Sequence, residues 1–166
     1  KGDSLISVLL LSWLVLPLQA AGQDFDNIEI TTNHVKDNIY YLEGSGGNIG
    51  VIVGDDGVLI VDNQFAPLSN KIEAAITDLS ELPVTFAVNS HFHYDHTDGN
   101  ENFGKAGAFI VAQENARRRM ESTQVLSNGR AQERYDEVGL PKITFTDTMR
   151  FYFNDEPIDL IHTGPG

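Results

Sequence analysis

The alternation of apolar and polar positions divides the chain into short strands and a few helices. Residues 38–43 (NIYYLE) and 48–53 (NIGVIV) are rich in Ile, Val and Tyr and lie between Gly, Asn and Asp, which predicts two strands. Asp55-Asp56-Gly57 predicts a hairpin turn, because glycine supplies the positive φ that tight hairpins need. The return strand, residues 58–62 (VLIVD), is apolar until its last residue, so it is expected to be covered on both faces. Over residues 67–82, Leu68, Ile72, Ala75, Ile76 and Leu79 fall on one face at helical spacing, with Pro67 in the first turn. Residues 84–89 (VTFAVN) are again a strand. Strand, helix and strand within about 30 residues make a βαβ unit and predict a parallel pair. Beyond it the pattern predicts a short helix at 101–105 turned by Gly99 and capped by Asn100, a strand at 108–112 and a helix from Gln113 to about Glu121. Short strands follow at 143–145, 150–154 and 157–162.

In sheets with parallel strands, polar residues just past a strand's C-terminal end face the ligand crevice. Two places qualify: Asp62, which closes VLIVD, and the segment after VTFAVN. That segment is His91-Phe92-His93-Tyr94-Asp95-His96 and holds three of the chain's five histidines. In an extended loop His91 and His93 project to the same side, so two imidazoles can grip one ion. The chain then turns, and Asp95 and His96 point to a second position. Imidazole with carboxylate suits Zn²⁺ best, with Fe, Mn or Ni as alternatives. The plainer reading, a polar turn with surface histidines, leaves four ligand-type side chains crowded behind a buried strand without a cation. Asp62 has two readings, which can hold together. It braces a ligand or the motif loop, or it caps nearby backbone N–H groups.

Composition narrows the function classes. Lys and Arg total 11 against 24 Asp and Glu, a formal net charge of −13. Phosphate binding needs clustered cations, so nucleic-acid partners are excluded, as is adsorption to an anionic membrane. The absence of Cys removes disulfides and thiolate metal ligands from this stretch. Residues 5–16 (LISVLLLSWLVL) are too short an apolar run to span a bilayer. With Lys1 before them and Pro17, Ala20, Ala21 and Gly22 after, they read as a signal peptide over residues 1–21 with a clipped start. A buried N-terminal helix is the competing reading. The expected location is periplasmic or secreted, with no membrane association once the signal is removed. The C-terminal IHTGPG reads as a strand entering a Gly/Pro loop, so the domain at 26–166 is expected to continue beyond it.

The His-x-His-x-Asp-His string, with Asn89-Ser90 before it and Thr97-Asp98-Gly99-Asn100 after, closely resembles the metal-binding motif of the metallo-β-lactamase superfamily. The resemblance runs from about Asn38 to Gly166 and takes in the strand ending at Asp62 and the terminal IHTGPG. It implies an α/β (α+β) fold: the N-terminal half of an αββα sandwich of mixed β-sheets with outer helices. It implies that His91 and His93 bind a first metal and Asp95 and His96 a second, with Asp95 also orienting the attacking water. The family's next ligand would be a His directly after Gly166. His at position 96, rather than Arg, resembles the dinuclear branches such as glyoxalase II and the His-rich β-lactamases.

The implied cofactor is Zn²⁺, two per full-length chain, with Fe as the alternative. The implied reaction is hydrolysis of a small-molecule amide, lactam, ester or thioester, and the 166-residue stretch alone is expected to be inactive. Two other readings stay open: a mononuclear-iron oxidoreductase acting on persulfides, and a non-catalytic metal-binding accessory protein. The sequence leaves the oligomeric state open. Among lesser features, His34 reads as a surface residue and His162 as a neighbour of the metal loop. Arg117-Arg118-Arg119 reads as a solvated helix face with a lesser claim to gripping a substrate carboxylate. Phe65, Phe92 and Tyr94 line a pocket mouth or pack in the core.

Overall fold

The computed structural model describes residues 24–164; the expected signal peptide and the last two residues lie outside them. In chain order the elements are β1 (Thr31–Lys36), β2 (Ile39–Glu43), β3 (Ile49–Gly54), β4 (Gly57–Val61), α1 (Ser69–Thr77), β5 (Val84–Asn89), α2 (Tyr94–Thr97), α3 (Asn100–Lys105), β6 (Phe109–Gln113), α4 (Glu114–Met120), β7 (Gln124–Val125), β8 (Ala131–Gln132), β9 (Ile143–Phe145), β10 (Thr148–Phe153) and β11 (Glu156–Ile161). Seven strands form one mixed sheet in the order β1-β2-β3-β4-β5-β6-β9. The pairs from β1 to β4 are antiparallel. Those from β4 through β5 and β6 to β9 are parallel.

The β3–β4 hairpin pairs Gly54 with Gly57 around Asp55-Asp56, and Gly57 has φ 116°. A Cβ on Gly57 would sit 2.3 Å from the Thr85 hydroxyl, so both conformation and space require glycine there.

The expectation that β4 is covered on both faces holds, and the reason is layering. Val58 and Ile60 face a core shared with Leu68, Ile72 and Ile76 of the α1 region and Phe103 of α3. Leu59 and Val61 face the opposite way, with Phe86, Val88 and Val111, onto Phe153, Phe151 and Leu160 of the β10–β11 hairpin. Helices, sheet and hairpin therefore form three layers, a mixed α+β arrangement with helices on the outer face.

Two expected elements differ in extent or role. The helix predicted over residues 67–82 starts as a 3₁₀ turn at Ala66–Leu68 and ends at Thr77. Its last turn closes through Leu79 and Ser80 N–H groups that donate to Ile76 O, and Ser80 Oγ then accepts from Leu82 N. Pro83 disfavours helix in the residue before it, so this turn delivers the chain to β5 in extended form. The helix at α3 exists, but Asn100 does not cap it. It is fully buried instead, in a side-chain network described below. No helix among the described residues is long and apolar enough to cross a membrane.

Truncating Ile72, which is fully buried between α1 and the sheet, is expected to cost about 2–5 kcal/mol in chemical denaturation. Val35→Ala, on the exposed edge strand β1, should stay within about 0.5 kcal/mol.

Candidate metal centre

The motif lies where the sequence placed it, at the C-terminal ends of two adjacent parallel strands. Asp62 directly follows β4, and Ser90 to His93 link β5 to the short helix α2, which carries Asp95 and His96. His93 is the extended residue before α2, with φ −63° and ψ 141°.

Asp62 organises the site. It is 5% exposed. Its Oδ1 accepts from Ser90 N at 2.8 Å, and its Oδ2 accepts from Ser90 Oγ at 2.7 Å and from His96 Nδ1 at 2.8 Å. Both readings of Asp62 are thus realised in one side chain: backbone cap and brace for a candidate ligand.

Proton bookkeeping then assigns the imidazoles. An ionised carboxylate only accepts, so His96 Nδ1 donates and its Nε2 keeps a lone pair. That Nε2 lies 3.7 Å from Asp95 Oδ2. The single Ser90 hydroxyl proton goes to Asp62, so Ser90 Oγ accepts from His91 Nδ1 at 3.0 Å. His91 Nε2 therefore also presents a lone pair, 3.1 Å from His93 Nδ1.

This separation is close to the tetrahedral edge of about 3.3 Å expected for two imidazoles on one zinc at about 2.0–2.1 Å. The His91 and His96 rings are 4.2 Å apart between centroids, which brings the two donor pairs side by side. Among the described residues no group of three His, Asp or Glu closes on one point. The donors converge as pairs, each short of a four-ligand set, and a pair of this chemistry fits each of two divalent cations.

Burial and neighbouring charge separate the two bracing-linked histidines. Desolvation lowers the His91 pKa below its usual 6.5, helped by the nearby His96 and His93 and opposed by Asp62 and Asp95. The hydrogen bond to Asp62 raises that of His96, against its own desolvation and with further help from the charges of Asp62 and Asp95.

Residues far away in sequence hold the loop. Gln132 in β8 receives Tyr94 N on its Oε1 at 2.9 Å and donates Nε2 to Phe92 O at 2.6 Å. Thr97 Oγ1 donates to His93 O at 2.9 Å and meets Tyr135 OH at 2.7 Å. Beneath them, fully buried Asn100 accepts from Asn63 and Asn89 amides at 2.7 and 3.0 Å, and donates to Asn89 Oδ1 and Gly139 O.

The chain reaches this network through left-handed conformations at Asp62 (φ 67°) and Gln64 (φ 53°). From the other side the β2–β3 loop closes in, and a Cβ on Gly47 would lie 2.5 Å from His96 Cε1. In the sequence Ser90 and Asn100 stand as flanks of the motif string, Asn100 read as a helix cap, and Gly47 and Gln132 have no assigned role. The Gly46-Gly47 pair between two strands is a local signal for the β2–β3 loop, whereas Gln132 becomes a neighbour of the motif only through the fold.

Of the remaining candidates, His34 is exposed on β1 and bonds Asp37 O. His162 is exposed at the end of β11, and Phe65 is buried in the core against Tyr94. Phe92 packs against the Met120, Tyr135 and Leu140 cluster and carries Arg119 over its ring.

In metal-free protein followed by imidazole NMR, acidification is expected to protonate His96 first and His91 last of the two. Asp62→Asn should bring the two titrations closer, because it removes the acceptor charge that raises His96.

The family model for the metallo-beta-lactamase superfamily matches residues 42–165. Among solved structures, the chain is similar to the subclass B3 metallo-β-lactamase of Bradyrhizobium japonicum, at 22% identity and a TM-score of 0.63, covering 76% of this chain and 49% of that one. It is similar to the native FEZ-1 metallo-β-lactamase of Legionella gormanii at 16% identity and TM-score 0.65, covering 78% and 51%. For the MIM-1 enzyme of Novosphingobium pentaromativorans the identity is 24% and the TM-score 0.62, covering 72% and 46%. The chain thus spans about half the length of these structures, and the likeness to them is one of fold. With the family match running through β4, the motif loop and the β10–β11 hairpin, the chain belongs to the metallo-β-lactamase superfamily.

Proposed function

We propose that this protein is an exported, metal-dependent hydrolase of a small-molecule amide, lactam, ester or thioester. The observation that best supports this is the paired convergence of donors. His91 Nε2 and His93 Nδ1 meet at 3.1 Å, beside His96 Nε2 facing Asp95. His91 and His93 would hold one divalent cation and Asp95 and His96 a second, with zinc suiting this donor set best. Ions bound there supply Lewis acidity and bring the pKa of water down to about 7.

The protein's own residues have separable tasks. Asp62 holds His96 in the tautomer that leaves Nε2 free, and through the Ser90 hydroxyl it does the same for His91. Asp95, with its side chain 37% exposed, accepts a hydrogen bond from the attacking water and orients it. The tight approach of Gly47 to His96 limits the space on that side of the ring. Export is supported by the apolar run at residues 5–16 followed by small residues. Similarity to enzymes named as B3 metallo-β-lactamases favours a lactam among the candidate substrates.

The intact protein is expected to carry two zinc ions by elemental analysis, to lose ester or lactam hydrolysis on chelation and to regain it with zinc. Iron with oxygen uptake would replace this reading with an oxidoreductase, and bound metal without turnover would make the protein non-catalytic. Asp62→Asn is expected to weaken zinc by about 10–100-fold in competition with a chromogenic chelator.

A further inference from the structure

An asparagine side chain loses its amide when the backbone nitrogen of the next residue swings onto the side-chain carbonyl carbon. Glycine permits that motion best, because it brings no Cβ and few conformational limits. Of the chain's asparagines only Asn128 stands before a glycine. It lies in the loop that joins β7 to β8, where Ser127, Asn128, Gly129 and Arg130 are all exposed. Gly129 has φ 78°, and a Cβ built on it would meet nothing within 4 Å, so the place is open to water.

The bonds inside the loop bear on the same reaction. Arg130 N donates to Asn128 Oδ1 at 3.0 Å. This folds the side-chain carbonyl back over the turn and sets a donor on the oxygen that takes up negative charge when Cγ is attacked. Gly129 N donates to Leu126 O at 2.8 Å, and that bond has to open first. The ribbon around it pairs only Gln124 with Gln132 and Val125 with Ala131, a length that opens locally at little cost. Two aspartates also precede glycine, and both are held. Asp56-Gly57 sits in the tight β3–β4 hairpin, where a Cβ on Gly57 would lie 2.3 Å from the Thr85 hydroxyl. Asp98 Oδ2 accepts from Ala66 N at 2.8 Å while Gly99 N donates to Gln64 O.

We propose that Asn128-Gly129 is a site of spontaneous amide loss, and that its isoaspartate product loosens the motif loop as the protein ages. Gly129 N gives up its proton and attacks Asn128 Cγ. The new C–N bond forms as the Cγ–Nδ2 bond breaks, and the leaving nitrogen takes a proton and departs as ammonia. Water then opens the cyclic imide at one carbonyl or the other, giving aspartate or isoaspartate with no further reactant. Aspartate keeps the backbone and the acceptor for Arg130 N. Isoaspartate routes the main chain through the side-chain carbons and adds a methylene between residues 128 and 129. The turn closed by Leu126 N donating to Arg130 O at 2.9 Å no longer fits that longer chain. Two residues on is buried Gln132, whose bonds to Tyr94 N and Phe92 O are the hold of β8 on the motif loop. Arg130 is a second link, with its guanidinium carbon 5.4 Å from the centroid of the Tyr94 ring.

The test ages the intact, metal-free protein in mildly alkaline buffer. Peptide mapping by mass spectrometry follows the amides, and isoaspartyl methyltransferase labels the isoaspartate. Residue 128 should lose its amide at least about tenfold faster than the exposed Asn27 and Asn70. Asn128→Gln should abolish the label at this position. By NMR, hydrogen exchange at the Tyr94 amide should be about tenfold faster in the isoaspartate fraction and unchanged in Asn128→Asp. Asn128 is exposed, so neither substitution threatens the fold. Amide loss at 128 no faster than at Asn27 or Asn70 would overturn the site. Isoaspartate with unchanged Tyr94 exchange, or equal acceleration in Asn128→Asp, would overturn its coupling to the motif loop. Both readouts are taken without metal or substrate, so they stand apart from the hydrolase reading.

Discussion

One buried carboxylate sets the proton arrangement of the whole site. Asp62 has nothing to donate, so each polar hydrogen around it must point inwards, from Ser90 N, Ser90 Oγ and His96 Nδ1. That requirement passes along the serine to His91 and leaves ring nitrogens of both histidines open on the side where they meet Asp95 and His93. The same bonds tie the end of β4 to the loop after β5, so the tautomers and the loop position have a common cause. Left-handed backbone at Asp62 and Gln64 costs on the order of 1–3 kcal/mol each. It is offset by Asp62 N donating to Val88 O, by Gln64 Oε1 accepting Ser45 N and by the carboxylate's three bonds.

A platform of parallel strands makes such positioning effective. β4 and β5 are covered on one side by α1 and α3 and on the other by the β10–β11 hairpin, which leaves their C-terminal ends as fixed points. The motif loop is then held from the sheet by Asp62, from β8 by Gln132 and from residue 135 by the tyrosine that meets Thr97. Buried Asn63, Asn89 and Asn100 form a small polar core beneath it. One atom there, Asn63 Oδ1, has no hydrogen-bond partner among the described residues, and it sits where a Cβ on Gly99 would lie 2.9 Å away.

Charge is distributed to match. An excess of 13 negative charges favours divalent cations over the surface at large. A groove lined by Ser90 and Phe92 of the motif loop and by Arg118 and Arg119 of α4 has no acid in its lining and is a local reversal of that field.

The strands β2 to β6 and β9 to β11, the parallel β4–β5 pair, the double-sided burial of β4 and the four motif residues were legible in the linear chain. Each depends on local periodicity, on the succession of strand, helix and strand, or on residues within six positions of one another, and that information is written along the chain itself. The C-terminal limit of α1 and the duty of Asn100 were not legible, because a helix end and a buried amide answer to partners elsewhere in the fold. Ser90, Gln132 and Gly47 gain their roles only when β4, β8 and the β2–β3 loop are brought against the motif. The sequence by itself determined which donors exist and at which strand ends they stand. Only the tertiary structure decided which way each proton points, since that depends on neighbours distant in the chain.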